Sequence, residues 1–222
     1  MNNTQCKSDY SLFTKTTALG FIAILVYVDD LVLVGDDLNE IENVKSVLHD
    51  KFKIKDIGDL KYFLGLEVAS SKNGIALYQR KYALDLLKET GFQNCKPIST
   101  PIDYGVKLGK STGELLTNFT PYREIIGKLL YLSNTRPDIS YAIGKLRQFL
   151  DCATNEHLKA AHRVLRYIKR FPATGLFFSA DSNLELTGFS DSNWAGCPDS
   201  RRSVSAYCFF LGPSLVTWKI KK

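Results

Sequence analysis

Two apolar runs that meet at an acidic pair, followed by apolar residues at helical spacing, predict a β-hairpin and a helix near the N-terminus. Residues 21–35 form two β-branched apolar runs that meet at an acidic pair, which indicates two strands joined by a tight turn at Val28–Asp30. Apolar residues then recur at helical spacing over 38–48, directly after Asp36–Asp37. Because aspartate is a favoured helix cap, we expect this pair to begin the helix.

The next segment predicts strands, a second hairpin and a second helix. Phe52 and Ile54 alternate with lysines, which is typical of a short strand. The runs 62–68 and 74–79 flank a polar segment that contains Asn-Gly, so they predict a hairpin. Residues 81–90 are expected to form a helix that ends at a glycine.

The remaining sequence changes from loop to helices and then to strands. Residues 94–120 are rich in proline and glycine and predict a long loop or linker. Helical spacing then recurs over 120–132, 137–150 and 155–171. The last part alternates as short strands, which are predicted at 176–178, 184–189, 203–211 and 215–218. The expected fold class is therefore α+β.

Composition excludes several classes of protein. Of the 222 residues, 45% are apolar and 23% are charged, as in ordinary folded domains, and 5 cysteines are too few for a disulfide scaffold. The cysteine number is odd and shows no Cys-x-x-Cys spacing, which favours a reducing, intracellular compartment. The longest apolar run is too short for a membrane span, and we expect neither a secretory signal nor a membrane partner.

Charge is distributed unevenly along the chain. Residues 1–120 contain 14 Lys and Arg against 15 Asp and Glu, whereas residues 121–222 contain 15 against 8. The whole net charge of +6 therefore comes from the second half. This asymmetry is typical of a protein with a polyanionic partner such as nucleic acid, although a basic surface kept for solubility is an equal alternative.

The sequence Tyr27-Val28-Asp29-Asp30 carries the strongest chemical signal. Two carboxylates on a turn between apolar strands offer the oxygen ligands that Mg²⁺ or Mn²⁺ prefers. Metal ions held in this way stabilise the attacking and leaving oxygens in phosphoryl transfer. The alternative is a simple polar turn, because aspartate is common in turns.

A row of cations runs along the third predicted helix of the second half. Lys159, Arg163, Arg166 and Arg170 share the face opposite the apolar residues. We expect no acidic side chain one turn away to neutralise this row, and we call these four residues the basic stripe. The alternatives are an ordinary solvated helix face and a surface that contacts nucleic-acid phosphates.

Five sequence motifs in order resemble the reverse transcriptases of copia-type retrotransposons. They are ILVYVDDLVLVGDD, KDIGDLKYFLGLEV, YLSNTRPDISYA, LRYIKR and GFSDSNWAGCPDSRRS. The resemblance covers residues 8–222. It implies a partial polymerase palm that contains the YVDD hairpin, a helical thumb or connection, and the first strands of an RNase H-like sheet.

This resemblance divides the chain into four parts. Residues 1–93 would be the C-terminal part of the palm with a primer-contacting hairpin and the first thumb helix. Residues 94–120 would be a linker, and 121–174 the rest of the helical thumb or connection. Residues 175–222 would be a truncated RNase H-like domain.

The resemblance also implies roles for individual residues. Asp29 and Asp30 match the catalytic acidic pair that binds Mg²⁺ or Mn²⁺, and Asp191 matches the first carboxylate of an RNase H site. Tyr27 and Val28 would lie beneath the primer end and the incoming nucleotide. The implied primer-contacting residues are Phe63, Leu64 and Gly65, and the basic stripe would contact the backbone of a template–primer duplex.

The implied partners are an RNA template, an RNA–DNA or DNA duplex and the upstream palm and fingers of the polyprotein. The family works in cytoplasmic virus-like particles. A third palm carboxylate and further RNase H carboxylates are expected outside these residues, so both metal sites would be incomplete. Three hypotheses stay open: an enzyme fragment that is inactive alone, a nucleic-acid-binding relic that uses the basic stripe, and a nonfunctional reading frame.

Overall fold

The computed structural model describes residues 4–103, 105–197 and 199–222. The chain divides into two compact units, Met1–Leu60 and Lys61–Lys222. We call them the N-terminal unit and the C-terminal unit and describe each by itself. The described residues contain five α-helices and three antiparallel sheets, which confirms the expected α+β class.

The N-terminal unit is a four-stranded antiparallel sheet with one helix. Its strands follow the order β1-β2-β3-β4. Their bounds are Thr4–Gln5 for β1, Leu12–Thr16 for β2, Phe21–Tyr27 for β3 and Asp30–Gly35 for β4, and α1 spans Leu38–Phe52. The predicted hairpin and helix are confirmed, whereas β1 and β2 were not predicted because their short segments carry many polar residues.

The core of this unit lies between β3 and α1. Ile22 and Ile24 are buried on one face of β3, and Val44 of α1 is 1% exposed. Side chains two positions apart lie on the same face of a strand, so the alternation in β3 places its isoleucines toward the helix. The helix thereby supports the hairpin that carries Asp29 and Asp30.

Asp37 begins α1, as the sequence predicted. One carboxylate oxygen accepts a hydrogen bond from the Glu40 backbone N–H at 3.1 Å, and the other accepts from the Thr17 hydroxyl at 2.8 Å. The hydrogen bond from Thr17, followed by that from Glu40, lowers the pKa of Asp37 below its ordinary value of 3.8. Ionised Asp37 therefore stabilises the folded state above its ordinary pKa, and this stabilisation is lost as pH falls through the lowered, folded-state pKa.

We expect Asp37→Ala to lower the thermal midpoint of unfolding at about pH 7, and to lower it less at an acidic pH that protonates the wild-type carboxyl. Circular dichroism at both pH values measures the difference. Asp36→Ala is the matched control, because Asp36 is exposed and does not cap the helix. An equal loss for Asp37→Ala at both pH values would contradict the capping role.

A helical core forms the centre of the C-terminal unit. The helices are α2 at Arg80–Glu89, α3 at Thr120–Leu132, α4 at Pro137–Leu146 and α5 at Asn155–Arg170. Their apolar faces meet in one cluster, in which Ile126, Leu129 and Leu165 are fully buried. Burial of such side chains is worth about 1.5–3 kcal/mol each, so this cluster is the main source of stability in the unit.

Two sheets flank these helices. The first has the order β5-β6-β7-β8 and contains Tyr62–Phe63, Leu66–Ser71, Gly74–Tyr78 and Gly175–Ser179. The second has the order β11-β10-β9, where β9 is Leu186–Asn193, β10 is Val204–Leu211 and β11 is Ser214–Lys221. Helix α4 packs against β11, where the Trp218 indole N–H donates to the Ser140 hydroxyl at 3.0 Å.

Two local predictions were wrong. Residues 52–54 do not form a strand: α1 continues to Phe52, and Lys53 ends it in the left-handed conformation with φ of 57°. The expected single strand at 62–68 is broken, because Leu64 and Gly65 form a turn between β5 and β6. Both breaks depend on residues other than glycine with positive φ, which sequence patterns rarely reveal.

The predicted loop at 94–120 contains turns and one isolated bridge, between Leu115 and Thr154, before α3 begins at Thr120. Tyr104 lies outside the described residues. The proposed boundaries at 93, 120 and 174 stay a prediction. None of the helices in the described ranges has the length and apolar character needed to cross a bilayer.

Candidate functional site

The acidic pair lies at the tip of the β3–β4 hairpin. Tyr27 pairs with Asp30 across the two strands, and Val28 and Asp29 form the two-residue turn. Val28 has φ of 51° and is 83% exposed, although β-branched residues disfavour the left-handed conformation. The tip therefore presents a strained turn with both carboxylates exposed.

The sequence places this tip outside the core of its unit. Burial along β3 is greatest at Ile22 and Ile24 and decreases toward Tyr27, which is 51% exposed. An exposed tyrosine and an exposed valine beside two carboxylates form a surface that is apolar and acidic at once. Such a surface attracts cations through its carboxylates, and the tyrosine ring beside them offers a flat apolar face.

The side chains of Asp29 and Asp30 have the chemistry to hold a divalent metal. Consecutive carboxylates supply hard oxygen ligands, and Mg²⁺ in proteins is commonly bound by one or two carboxylates together with substrate phosphates and waters. In the described part of the chain, no group of three or more His, Cys, Asp or Glu side chains is arranged to bind a metal. Two adjacent carboxylates supply only part of the coordination shell that Mg²⁺ requires.

The second predicted contact site is the tip of the β5–β6 hairpin in the C-terminal unit. Phe63 ends β5 and is half-buried, whereas Leu64 is 40% exposed in the turn with Gly65. The Leu64 carbonyl accepts a hydrogen bond from the Tyr131 hydroxyl of α3 at 2.9 Å. The helical core therefore holds this exposed tip by a direct contact.

The basic stripe lies on α5, but its members have different surroundings. Lys159 and Arg170, near the two ends of the helix, are exposed, and Arg163 and Arg166 are half-buried. Lys159 forms an ion pair with Glu156 at 2.7 Å, so the expectation that the stripe lacks an acidic neighbour is wrong. The helix places these two residues three positions apart, where side chains meet.

The two central arginines hold the segment 96–103 against α5. The Arg166 Nε donates to the Lys96 carbonyl at 2.8 Å, and Arg163 donates to the Thr100 hydroxyl at 2.8 Å. Arg163 also lies 3.6 Å from the carboxylate of Asp103. Part of the stripe therefore has a structural role, and its exposed ends provide the charge most open to a ligand.

Asp191 lies in β9, opposite Ala206 of β10, and is exposed. It lines an open cleft of about 510 Å³ between α4 and the second sheet, together with Lys145, Arg147 and Lys222. Asp191 belongs to the C-terminal unit, whereas Asp29 and Asp30 belong to the N-terminal unit. The described residues therefore place the two predicted acidic sites on different units.

Sequence reasoning gave no role to Arg136, which is the largest fully buried side chain among the described residues. Its guanidinium donates two hydrogen bonds to Asp138, at 2.9 and 2.8 Å, and a third to the Phe171 carbonyl at 2.9 Å. Burial raises the pKa of Asp138, but the hydrogen bonds and charge of Arg136 outweigh it and lower that pKa below 3.8. The sequence Thr-Arg-Pro-Asp could have indicated this ion pair, because proline is favoured at the start of a helix and arginine pairs with carboxylates.

The chain is similar to known proteins over most of its length. Residues 1–104 match the family described as reverse transcriptase (RNA-dependent DNA polymerase). The chain is 41% identical over 215 residues to the retrovirus-related Pol polyprotein from transposon RE1 of Arabidopsis thaliana, and 40% identical over 215 residues to that from transposon RE2. Each alignment covers 97% of this chain and 15% of the polyprotein, so the chain spans about 15% of the length of these relatives.

A third relative is of similar size to this chain. It is an uncharacterized mitochondrial protein of Arabidopsis thaliana, 37% identical over 199 residues, with 90% of this chain and 82% of that protein covered. No solved structure matches the chain. The matches to these polyproteins and to the reverse transcriptase family agree with the order of motifs in the sequence, and the chain belongs to the reverse transcriptase family of copia-type retrotransposon Pol polyproteins.

Proposed function

We propose that this chain is part of an RNA-directed DNA polymerase whose reaction is the Mg²⁺-dependent transfer of deoxynucleotides to a primer 3′ end. The observation that carries the proposal is the exposed acidic tip, where Asp29 and Asp30 stand beside Tyr27 and Val28. In this reaction the primer 3′ oxygen bonds to the α-phosphorus, and the bond from that phosphorus to pyrophosphate breaks. A divalent metal bound at the tip would neutralise charge on the phosphate oxygens.

The residues of the tip have separate roles in this proposal. Asp29 and Asp30 hold the metal, with Asp29 as the direct ligand. Tyr27 and Val28 form the floor beneath the primer end and the incoming nucleotide, since both are exposed beside the carboxylates. Phe63, Leu64 and Gly65 contact the primer strand.

The 222 residues by themselves are proposed to bind without catalysing polymerisation. An in-line displacement at two metals needs more ligands than two adjacent carboxylates supply. The described residues do not provide a third metal-binding side chain beside the acidic tip. We propose that further polymerase segments of a longer polyprotein complete this site.

The three-stranded sheet β11-β10-β9, whose strand β9 contains Asp191, is proposed to be an RNase H-like part of the polyprotein. Asp191 lies on an exposed strand and faces a cleft lined by lysine and arginine. A carboxylate beside cations suits a site that receives a phosphate backbone and a metal. The division into palm at 1–93, linker at 94–120, thumb or connection at 121–174 and RNase H-like part at 175–222 is included in this proposal.

Metal binding and primer extension test the acidic tip. We expect Mn²⁺ titration monitored by electron paramagnetic resonance to show a site that tightens when deoxynucleoside triphosphate is present, because its phosphates add oxygen ligands. Asp29→Asn should weaken this site at least tenfold by removing a charged ligand. Asp36→Asn is the matched control, since Asp36 is exposed in the same unit away from the tip.

Primer extension on a primed RNA template with Mg²⁺ is expected to show no incorporation by the folded chain. Incorporation that disappears in Asp29→Asn would contradict the proposal that these residues do not catalyse alone. Equal Mn²⁺ affinity in wild type and Asp29→Asn would contradict the metal role itself.

A second candidate function is binding of nucleic acid without catalysis. The C-terminal unit contains 23 Lys and Arg against 13 Asp and Glu, whereas the N-terminal unit contains 6 against 10. The exposed ends of the basic stripe belong to this strongly basic unit. Such a surface favours phosphate contacts of low sequence specificity.

A further inference from the structure

The turn between β5 and β6 has a backbone that its sequence does not favour. Leu64 has φ of 50° and Gly65 has φ of 80°, which is the pattern of a type I′ turn. Glycine adopts positive φ freely, but leucine is disfavoured there because its Cβ approaches the following carbonyl oxygen. A residue held in this conformation at an exposed tip requires support from its surroundings.

Helix α3 supplies that support through Tyr131. Its hydroxyl donates to the Leu64 carbonyl at 2.9 Å, across a separation of 67 residues. The Tyr131 ring packs edge-on against Tyr82 of α2, with 4.8 Å between ring centroids, and the Tyr82 hydroxyl donates to the Lys128 carbonyl at 3.2 Å. Two helices of the core thus orient the phenol that reaches the turn.

The fit at this contact is close. A Cβ placed on Gly65 would lie 2.1 Å from the Tyr131 hydroxyl, so only glycine allows the phenol to approach the turn. The contact is also at the surface, because Tyr131 is 39% exposed and Leu64 is 40% exposed. The hydrogen bond therefore lies outside the buried core and joins α3 to the exposed tip.

We infer that Tyr131 is a positioning residue whose hydroxyl holds the Leu64–Gly65 peptide in the orientation that receives the primer strand, an inference that rests on the proposed function. The carbonyl and N–H of a trans peptide point in opposite directions. With the Leu64 carbonyl directed to Tyr131, the Gly65 N–H points away from α3. A backbone N–H directed outward from a tip is a suitable donor to a primer phosphate.

The same contact also controls the Leu64 side chain. A change of the turn to a more favourable backbone conformation would rotate this side chain and the Gly65 N–H together. Loss of the Tyr131 hydroxyl therefore alters how the tip meets the primer, while the helices that carry Tyr131 and Tyr82 keep their buried contacts. This separation makes the inference testable by removing a single oxygen atom.

Tyr131→Phe is the test variant, measured by fluorescence anisotropy with the full chain. We compare affinity for an RNA–DNA duplex with a recessed primer 3′ end and for a blunt duplex of the same sequence. The wild type is expected to prefer the recessed end, and Tyr131→Phe should reduce that preference by roughly threefold to tenfold, the effect of one hydrogen bond. Tyr10→Phe is the matched control, because Tyr10 is an exposed tyrosine of the N-terminal unit that belongs to neither the acidic tip nor the Asp191 cleft.

A double-variant cycle separates positioning from a general loss of structure. Leu64→Gly removes the cost of the left-handed conformation, so Tyr131→Phe should have little further effect on the preference in that background. Thermal unfolding of each variant shows whether the fold is retained. A merely structural tyrosine would lower the thermal midpoint and leave the preference for recessed ends unchanged.

The outcomes distinguish this inference from the function on which it rests. If the wild type prefers recessed ends and Tyr131→Phe retains the full preference, the positioning role is wrong and the primer-contacting function stands. If the wild type shows no preference, the proposed contact of Phe63–Gly65 with primer fails, and the positioning role fails with it. If the preference for recessed ends is reduced in Tyr131→Phe but not in the control variant, both the primer contact and the positioning role are supported.

Discussion

Replacing Arg136 by alanine is expected to reduce the free energy of unfolding of the C-terminal unit by about 3–5 kcal/mol, the range found when one partner of a buried ion pair is removed. The Arg136 side chain is fully buried and makes three charge-assisted hydrogen bonds. Its removal leaves the Asp138 carboxylate without its cation and the Phe171 carbonyl without its donor. The guanidinium also lies over the Tyr167 ring, at 5.8 Å from the centroid, so packing is lost as well.

Urea unfolding monitored by tryptophan fluorescence measures this loss. Both tryptophans of the chain, Trp194 and Trp218, lie in the C-terminal unit, and Trp218 is hydrogen-bonded to α4. Arg123→Ala is the matched control, because Arg123 pairs with Asp151, whose side chain is 94% exposed, and such a surface pair is worth about 1 kcal/mol or less. An equal effect for the two variants would show that Arg136 does not hold the unit together.

Removing the cations at the exposed ends of the basic stripe is expected to lower the affinity for an RNA–DNA duplex. The affinity should also become less dependent on salt concentration. Each phosphate contact releases about 0.9 counterion on B-form DNA. Because Lys159 is already paired with Glu156, Lys159→Ala/Arg170→Ala should reduce the slope of log affinity against log salt by about 1 to 2. Arg163 and Arg166 stay unchanged because they hold the segment 96–103. The affinity loss is therefore expected without loss of the fold.

Anisotropy titrations over a range of salt concentrations give both the slope and the affinity. Lys51→Ala/Lys55→Ala is the matched control, since it removes two exposed cations from the acidic N-terminal unit. The control should leave the slope nearly unchanged. A slope that changes equally in both double variants would indicate general electrostatic attraction and exclude a specific role for α5.

Local sequence patterns predicted the structure correctly where residues interact with near neighbours in sequence. The hairpin at 21–35, the capping role of Asp37 and the starts of α3 and α4 followed from apolar runs, turn and cap chemistry and helical spacing. These features depend on backbone preferences within a few residues. The exposed acidic pair could therefore be predicted as part of a hairpin tip from the sequence alone.

Long-range contacts account for the features that were missed. The turn at Leu64–Gly65 carries a leucine where the pattern favours a continuing strand, and its stabilising donor Tyr131 is far away in sequence. Arg163 and Arg166 fit an exposed stripe by helical spacing, yet the segment 96–103 returns to cover them. Periodicity shows which face of a helix is polar but not which distant segment packs there.

The sequence was enough to identify the family, the acidic hairpin and the basic second half, because motifs, alternation and charge are properties of neighbouring residues. Only the tertiary structure showed that Arg136 is buried in an ion pair with Asp138 and that the Tyr131 hydroxyl binds the tip at Leu64. It also showed that Arg166 of the basic stripe is hydrogen-bonded to the segment 96–103. Each of these depends on which distant groups are brought together. Burial and hydrogen bonding across many residues are decided by packing of the whole unit, and no short stretch of sequence encodes them by itself.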